Sequence, residues 1–111
     1  MIEKTILNYL NEHLEVGVYM EVPENLPETF VLVEKVDSGR TNFISSATFA
    51  LRSFSGSLLN AAELNEAVKE VMDGITELDE ISACRFDRDY NFTDTSTKKY
   101  RYQSLYVITH Y

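Results

Sequence analysis

Apolar residues change their spacing three times along this chain, and these changes constrain the fold more than any other feature of the sequence. In residues 2–14 and 61–75 they recur every three or four positions, as on one side of an amphipathic helix. In residues 41–54 and 81–92 they alternate with polar residues, as in a strand with one buried face. The sequence therefore predicts an α+β fold, with two helices packed on a mainly antiparallel four-stranded sheet in the order α-β-β-α-β-β. The whole chain, residues 1–111, fits one domain of ordinary size.

A stripe of residues at helical spacing predicts the first helix. Its members are Ile2, Ile6, Tyr9, Leu10 and His13, with Glu3, Asn8 and Glu12 turned outward. Gly17 is expected to end this helix. Val18–Val22 is then predicted to be a short extended segment, and Pro23–Pro27 a polar loop, because proline fits neither a helix interior nor a central strand.

A first hairpin is predicted between the two helices. Phe30–Val36 has the composition of a strand, and Asp37–Arg40 that of a turn in which Gly39 supplies a positive φ. The second strand is expected to run through Thr41–Phe54, with one face buried. That face is predicted to carry Phe43, Ala47, Phe49 and Leu51, whereas Ser46, Thr48 and Arg52 mainly share the other.

The second helix is predicted to begin at Asn60, whose side chain suits an N-cap. Glu63 stands where its side chain could return the capping bond. Gly74 is the expected C-terminal cap. The buried stripe is predicted to be Leu64, Val68, Val71 and Ile75, with Glu63, Glu66, Lys69 and Glu70 outside.

A second hairpin is predicted to close the fold, from strands at Ile81–Phe92 and Tyr100–Tyr111 joined by a polar tip at Thr93–Lys99. Alternation predicts Cys84, Phe86, Tyr90 and Phe92 on one face of the first strand, with Arg85, Asp87 and Asp89 on the other. The centre of the last strand is apolar on both faces, which predicts a position inside the sheet with side chains packed on each side.

Residues capable of catalysis or metal binding are present, but none has the partners that such chemistry needs. Asp87 and Asp89 neighbour arginines, which indicates a solvated, salt-bridged strand face. His13 and His110 stand alone at opposite ends of the chain, and Cys84 has no second cysteine nearby. The single glycine in residues 55–57 falls far short of a phosphate-binding loop. The sequence predicts no catalytic residue, no metal site and no cofactor. We therefore expect that the protein is not an enzyme.

Charge and cysteine content restrict the partners and the compartment. A single cysteine rules out a disulfide within the chain. Charged residues interrupt residues 1–14, unlike a signal peptide, and no apolar run approaches membrane-spanning length, so a cytoplasmic setting is expected. The net charge of −8 opposes general binding to nucleic acid or to an anionic membrane.

Five of the seven tyrosines lie in the last 22 residues, interleaved with Lys98, Lys99 and Arg101. This pattern admits an ordinary strand, a stacking platform for single-stranded nucleic acid, or a protein-binding surface rich in tyrosine and arginine. The acidic balance of the chain disfavours nucleic acid, and the pattern favours a subunit interface. The candidate interface residues are Arg85, Arg88, Tyr90, Phe92, Lys98, Lys99, Tyr100, Arg101 and Tyr102.

Two segments resemble the tail-terminator, or tail-completion, proteins of long-tailed bacteriophages and prophages. TNFISSATFALRSFSGSLLNAAELNEAVKEVM resembles their strand-then-helix core, and DYNFTDTSTKKYRYQSLYVITHY resembles their closing hairpin, with its Arg-Tyr-Gln strand. The likeness spans most of residues 2–111, and the order of elements and the length match as well. Any longer arm for the head connector would here be reduced to residues 91–99.

The resemblance implies a structural virion protein located at the tail or neck and assembled in the host cytoplasm. Its partners would be copies of itself in a ring, usually of six subunits, together with the tail-tube and head-closure proteins. DNA would only pass through the lumen, and no membrane would be involved. The alternatives are another neck or minor capsid component, and a non-phage module that binds a ligand or nucleic acid through the aromatic C-terminal hairpin.

Overall fold

The computed structural model describes residues 1–25 and 27–111, and within them two α-helices pack on one five-stranded sheet. The elements are α1 (Ile2–His13), β1 (Gly17–Tyr19), β2 (Phe30–Thr41), β3 (Ile44–Ser55), α2 (Leu58–Met72), a 3₁₀ turn (Ile75–Glu77), β4 (Ile81–Asn91) and β5 (Tyr100–His110). The strand order is β1-β2-β3-β5-β4, with β1 parallel to β2 and every other pair antiparallel. The predicted α+β class is confirmed. The predicted number of four strands is wrong, because β1 adds a fifth.

The extra strand is positioned by a side chain of α1. The amide of Asn11 donates to the carbonyl of Val18 at 3.2 Å and accepts from its N–H at 3.1 Å. This pair of bonds imitates a strand partner and holds Val18 beside β2. Gly17 therefore begins β1 and does not end α1, which stops at His13 with Leu14 already extended. His13, expected in the buried stripe, is exposed and stacks on the Tyr9 ring at 4.1 Å.

The first hairpin is longer than predicted and turns at a different place. Thr41 pairs with Ile44, so the loop is only Asn42 and Phe43, with φ of 51° and 67°. The predicted turn at residues 37–40 is wrong, because these residues continue β2 past a bulge near Val36. A two-residue loop with both φ values positive matches the twist of the flanking strands, and asparagine tolerates it well. Phe43, predicted to be buried, is 86% exposed.

The start of α2 is set by Ser57 and not by Asn60. The Ser57 hydroxyl accepts from the Asn60 N–H at 3.1 Å, so Asn60 already lies inside the first turn and Glu63 has no capping role. The helix ends at Met72 with Asp73 as its C-cap, and Gly74 has an ordinary φ of −97°, so the predicted glycine cap is wrong.

The buried side of α2 is rotated from the predicted stripe. Of the predicted residues, Val68 is buried in the helix, and Ile75 is buried in the 3₁₀ turn that follows it. Leu64 and Val71 are only partly buried. The residues of α2 that are fully covered are Ala61, Asn65, Val68 and Met72.

The main core lies between the helices and one face of the sheet. Ile6 and Leu10 of α1 and Val68 of α2 pack there against the strands. The strand residues of this core are Val18, Val31, Val33, Ala47, Phe49, Leu51, Ile81, Tyr106 and Ile108. Because side chains alternate along a strand, residues between these positions point to the opposite face. Neither described helix contributes to the small apolar cluster of Phe30, Leu32 and Phe54 on that face.

Candidate protein-binding face

The face of the sheet that lies away from the helices is called here the open face. Strand pairing places residues from four strands on it: Glu34 of β2, Arg52 and Phe54 of β3, Arg101, Gln103 and Leu105 of β5, and Arg85, Arg88 and Tyr90 of β4. Phe92, just beyond β4, joins them through its ring contacts with Arg52 and Arg101. The open face thus combines arginines with aromatic side chains.

A row of hydrogen bonds crosses the open face. Arg52 Nη1 lies 2.7 Å from Glu34 Oε2, and its Nε donates to Gln103 Oε1 at 2.6 Å. The Gln103 amide in turn donates to the hydroxyl of Tyr90. The four side chains belong to β2, β3, β5 and β4 in that order, so the row ties every long strand of the sheet together. Such a row holds the face in one shape before any partner arrives, which lowers the entropy cost of binding.

Arg101 is held between two aromatic rings. Its guanidinium carbon lies 4.7 Å from the centroid of Phe92 and 5.5 Å from that of Phe54. Its Nε donates to the Phe92 carbonyl at 2.7 Å. Phe54 also stacks on Phe30, with centroids 4.6 Å apart and an interplanar angle of 4°. These contacts fix the guanidinium in place while part of it stays accessible.

At one end of the open face lies a cavity of about 380 Å³, called here the end pocket. Phe30, Leu32 and Phe54 form an apolar floor. The charged residues that line it are Glu28, Arg52, Lys98, Lys99 and Arg101. An apolar floor with a mainly cationic rim suits an aromatic or aliphatic group that carries or adjoins negative charge.

A bulge in β4 divides the residues that simple alternation places together. Pairing shifts between Phe86 and Arg88, so Asp87 is an extra residue in the strand. The even-numbered residues just before Asp87 therefore point to the helix side, and those after it point to the open face. Tyr90 therefore lies on the open face, and the prediction that it shares a face with Phe86 is wrong. The same holds for Phe92. Asp87 and Asp89 do not form a pair on one solvated face.

Asp89 faces α2 and has two partners there. Its Oδ2 accepts from Lys69 Nζ at 2.9 Å and from Asn65 Nδ2 at 2.7 Å. Burial raises the pKa of Asp89, but these two hydrogen bonds outweigh burial and hold the pKa below its usual value. The bond to Asp89 is also the main cause of the raised pKa of Lys69. This carboxylate is a structural tie between α2 and β4.

The predicted interface residues separate into four places. Arg85, Arg88, Tyr90, Phe92 and Arg101 lie on the open face. Lys98 and Lys99 are exposed at the tip of the second hairpin, where Lys98 has a left-handed φ of 55°. Tyr100 lines the end pocket, whereas Tyr102 pairs with the buried Ser53 and points to the helix side.

Sequence reasoning did not single out the part of the open face contributed by the first hairpin. Alternation along the strand puts Arg52 on the side opposite Phe49 and Leu51. It does not predict which residues of the adjacent strands lie beside Arg52. The available signal was the alternation itself, which also puts Phe54 beside Arg52 on the same face of β3. Glu34 and Gln103 gave no comparable signal.

The Cys84 thiol has little of the reactive thiolate form. Burial, and next Asp73, raise the pKa of the Cys84 thiol to about 11, which leaves very little thiolate at neutral pH. Across residues 1–25 and 27–111, no three His, Cys, Asp or Glu side chains gather as metal ligands would. No helix in those residues is both long enough and apolar enough to cross a membrane.

Comparison with models of known protein families finds no match to this sequence, and comparison with curated proteins finds none either. The strongest indications of function are therefore the charge, shape and rigidity of the open face.

Proposed function

We propose that this chain is a structural phage protein, a tail-terminator or tail-completion subunit that caps the tail tube and joins it to the head connector. One observation carries the proposal. A rigid sheet presents arginines and aromatic rings on the face that the helices leave uncovered, and these residue types are enriched at protein–protein interfaces. The contacts would be made to copies of the same chain and to tail proteins.

The distribution of charge supports contacts between copies. The open face carries Arg52, Arg85, Arg88 and Arg101. Exposed acids lie on the helices, on the segment between α1 and β1 and on the segment after α2, away from the open face: Glu12, Glu15, Glu63, Glu66, Glu70, Asp73, Glu77, Asp79 and Glu80. Head-to-tail contacts in a ring join two different patches, which must be complementary. Opposite charge on different surfaces of one subunit meets that requirement.

A ring built in this way would leave negative charge available for its inner wall. Acidic side chains repel the phosphate backbone, so DNA would pass through without binding. The net charge of −8 is compatible with that role. The same contacts would also serve another neck or minor capsid component, and the partner that the subunit binds distinguishes the two.

The proposal is tested by binding to purified tail tubes from the phage or prophage that encodes the chain. We expect density at one end of the tube in electron micrographs, and loss of this density in the double variant Arg85→Glu/Arg88→Glu. Both residues are exposed, so the variant should fold normally. Lys4→Glu, an exposed change on α1, is the matched control and should still bind. Binding to the head connector but not to the tube would assign the chain to another neck component.

A second candidate function is supported by a specific observation. Tyr90 and Phe92 are 36% and 37% exposed and lie beside arginines on an open sheet, an arrangement that can stack the bases of single-stranded nucleic acid. Fluorescence anisotropy with short single-stranded oligonucleotides at roughly 50 and 200 mM salt tests it. Binding that weakens with salt and disappears in Phe92→Ala would favour this function over the structural one.

A further inference from the structure

Two surfaces at opposite ends of the sheet differ in charge. The molecule extends 44 Å along its longest axis. Its β5 strand begins beside the end pocket at Tyr100 and finishes at His110. At roughly 3.3 Å per residue, the two ends of β5 lie about 33 Å apart.

At the end that lies away from the end pocket, the segment before β4 is acidic, whereas Lys35, Arg40 and His110 line a separate cavity at that end. Residues 73–80 connect α2 to β4 and contain four acids and no base. Their backbone is joined to the end of β5, because the Tyr111 N–H donates to the Glu80 carbonyl at 3.1 Å. This bond places Tyr111, which is 78% exposed, next to Asp79 and Glu80. This surface, called here the acidic end, combines an accessible aromatic ring with neighbouring acids, of which Glu80 also accepts from the Thr5 hydroxyl at 3.1 Å.

The end pocket has the complementary chemistry. Phe30 and Phe54 offer stacked rings as a floor, and such rings favour contact with another aromatic side chain. Lys98, Lys99 and Arg101 stand at its rim. The rim suits carboxylates and the floor suits the ring between them.

We propose that the acidic end of one copy binds in the end pocket of the next, with Tyr111 on the aromatic floor and Asp79 and Glu80 facing Lys98 and Lys99. This inference rests on the proposed self-association and names the contact that makes it. The two surfaces differ and lie at opposite ends, so the contact is head-to-tail and propagates from copy to copy until a ring closes.

Carbodiimide coupling tests the contact directly in the unaltered protein. This reagent joins a carboxylate to a lysine amine only where the two touch. An equal mixture of ¹⁵N-labelled and unlabelled protein should yield peptides in which Asp79 or Glu80 of one isotope is joined to Lys98 or Lys99 of the other. Absence of such mixed products, both in concentrated solution and on tail tubes, would overturn the inference.

A complementation experiment gives an independent result. Lys98→Glu/Lys99→Glu alters only the pocket, and Asp79→Asn/Glu80→Gln/Tyr111→Ala alters only the acidic end without giving the new glutamates a cationic partner; all five residues are exposed. Each variant alone should associate at least about tenfold more weakly than the unaltered chain. Mixing the two should restore dimers through the one intact contact and produce nothing larger. Lys4→Glu is the matched control and should associate normally.

The outcomes separate this inference from the proposed function. If both variants associate and bind tail tubes as the unaltered chain does, the end-pocket contact is refuted while the structural function stands. If the unaltered chain binds neither itself nor tail tubes, the proposed function fails. If a single-stranded oligonucleotide binds in the end pocket and no mixed cross-links form, the pocket would be assigned to nucleic acid instead.

Discussion

Lys69 Nζ lies 2.9 Å from Asp89 Oδ2, and this contact joins the middle of α2 to the edge strand β4. Both side chains are 26% exposed, so the pair is shielded from solvent more than a surface ion pair is. Asn65, itself buried, donates to the same carboxylate oxygen. The contact exists because the bulge at Asp87 turns Asp89 toward the helix.

Asp89→Ala is expected to lower the free energy of unfolding by about 1–3 kcal/mol, because it leaves the amide of Asn65 without its acceptor and leaves Lys69 with only the exposed Glu66. Asp87→Ala removes an equivalent charge from the exposed bulge and should change stability by less than about 0.5 kcal/mol. Urea unfolding followed by circular dichroism measures both. Equal losses from the two substitutions would mean that Asp89 does not join α2 to β4.

The same carboxylate predicts a dependence on pH. The pKa of Asp89 is lowered in the folded chain, against about 3.9 for an unfolded aspartate. Its contribution is therefore fully present above about pH 4 and is lost as the pH falls through the folded pKa. The stability difference between the unaltered chain and Asp89→Asn should be largest near neutral pH and should shrink toward about pH 2. A difference that stays constant over this range would contradict the assignment.

The cap of α2 predicts different effects for two neighbouring polar residues. Ser57→Ala removes the hydroxyl that accepts from the Asn60 N–H and should cost about 1 kcal/mol. Asn60→Ala leaves that bond intact, because only the backbone of Asn60 takes part, and should be close to neutral. Thermal unfolding of the two variants measures the difference. A larger loss for Asn60→Ala would show that Asn60 caps the helix after all.

The turn at Asn42 and Phe43 is expected to gain stability from glycine. A left-handed conformation costs a non-glycine residue about 1–2 kcal/mol, and the greater freedom of glycine in the unfolded chain takes back about 0.5–1 kcal/mol. Phe43→Gly should therefore stabilise the fold by about 0.5–1 kcal/mol. Phe43→Ala keeps the backbone cost and should not stabilise. Urea unfolding compares them, and a destabilised Phe43→Gly would show that the ring makes a stabilising contact, for example with Arg40.

Cys84 is expected to react slowly with thiol reagents. With its pKa raised to about 11, roughly one thiol in a thousand is ionised at pH 8, compared with a sizeable fraction in an unfolded chain. Coupling to an aromatic disulfide reagent at pH 8 should therefore be slow in the folded protein and fast in urea, with Cys84→Ser as the unreactive control. Similar rates in both states would show that the thiol is accessible in the native fold.

Several elements of this fold follow from residue pattern alone. The apolar spacing in α1, the helical pattern of residues 61–72 and the apolar centre of β5 each predict the observed structure, because burying that pattern permits only one type of backbone. The position of β5 in the interior of the sheet follows in the same way from its two apolar faces, although its neighbours do not. The arginines and aromatics of the second hairpin were recognisable as candidate interface residues from composition.

Other features depend on how far strands pair. Gly39 and Asp37 have turn composition, yet they continue β2, because pairing with β3 persists beyond the core as far as Thr41. The bulge at Asp87 places every side chain after it on the face opposite to the one that simple alternation predicts. The residue types in β4 do not indicate a bulge at this position. Ser57 and Asn60 both suit an N-cap, and the point where β3 stops selects Ser57.

The sequence by itself determined the class of the fold and the residue types that a partner would meet, because both depend on local spacing and composition. Only the tertiary structure decided that Glu34, Arg52, Gln103 and Tyr90 form one row, since that row depends on β5 inserting between β3 and β4. The end pocket likewise needs residues from β2, β3 and the tip of the second hairpin, which are far apart along the chain. Strand order brings them together, and strand order is set by burial across the whole sheet.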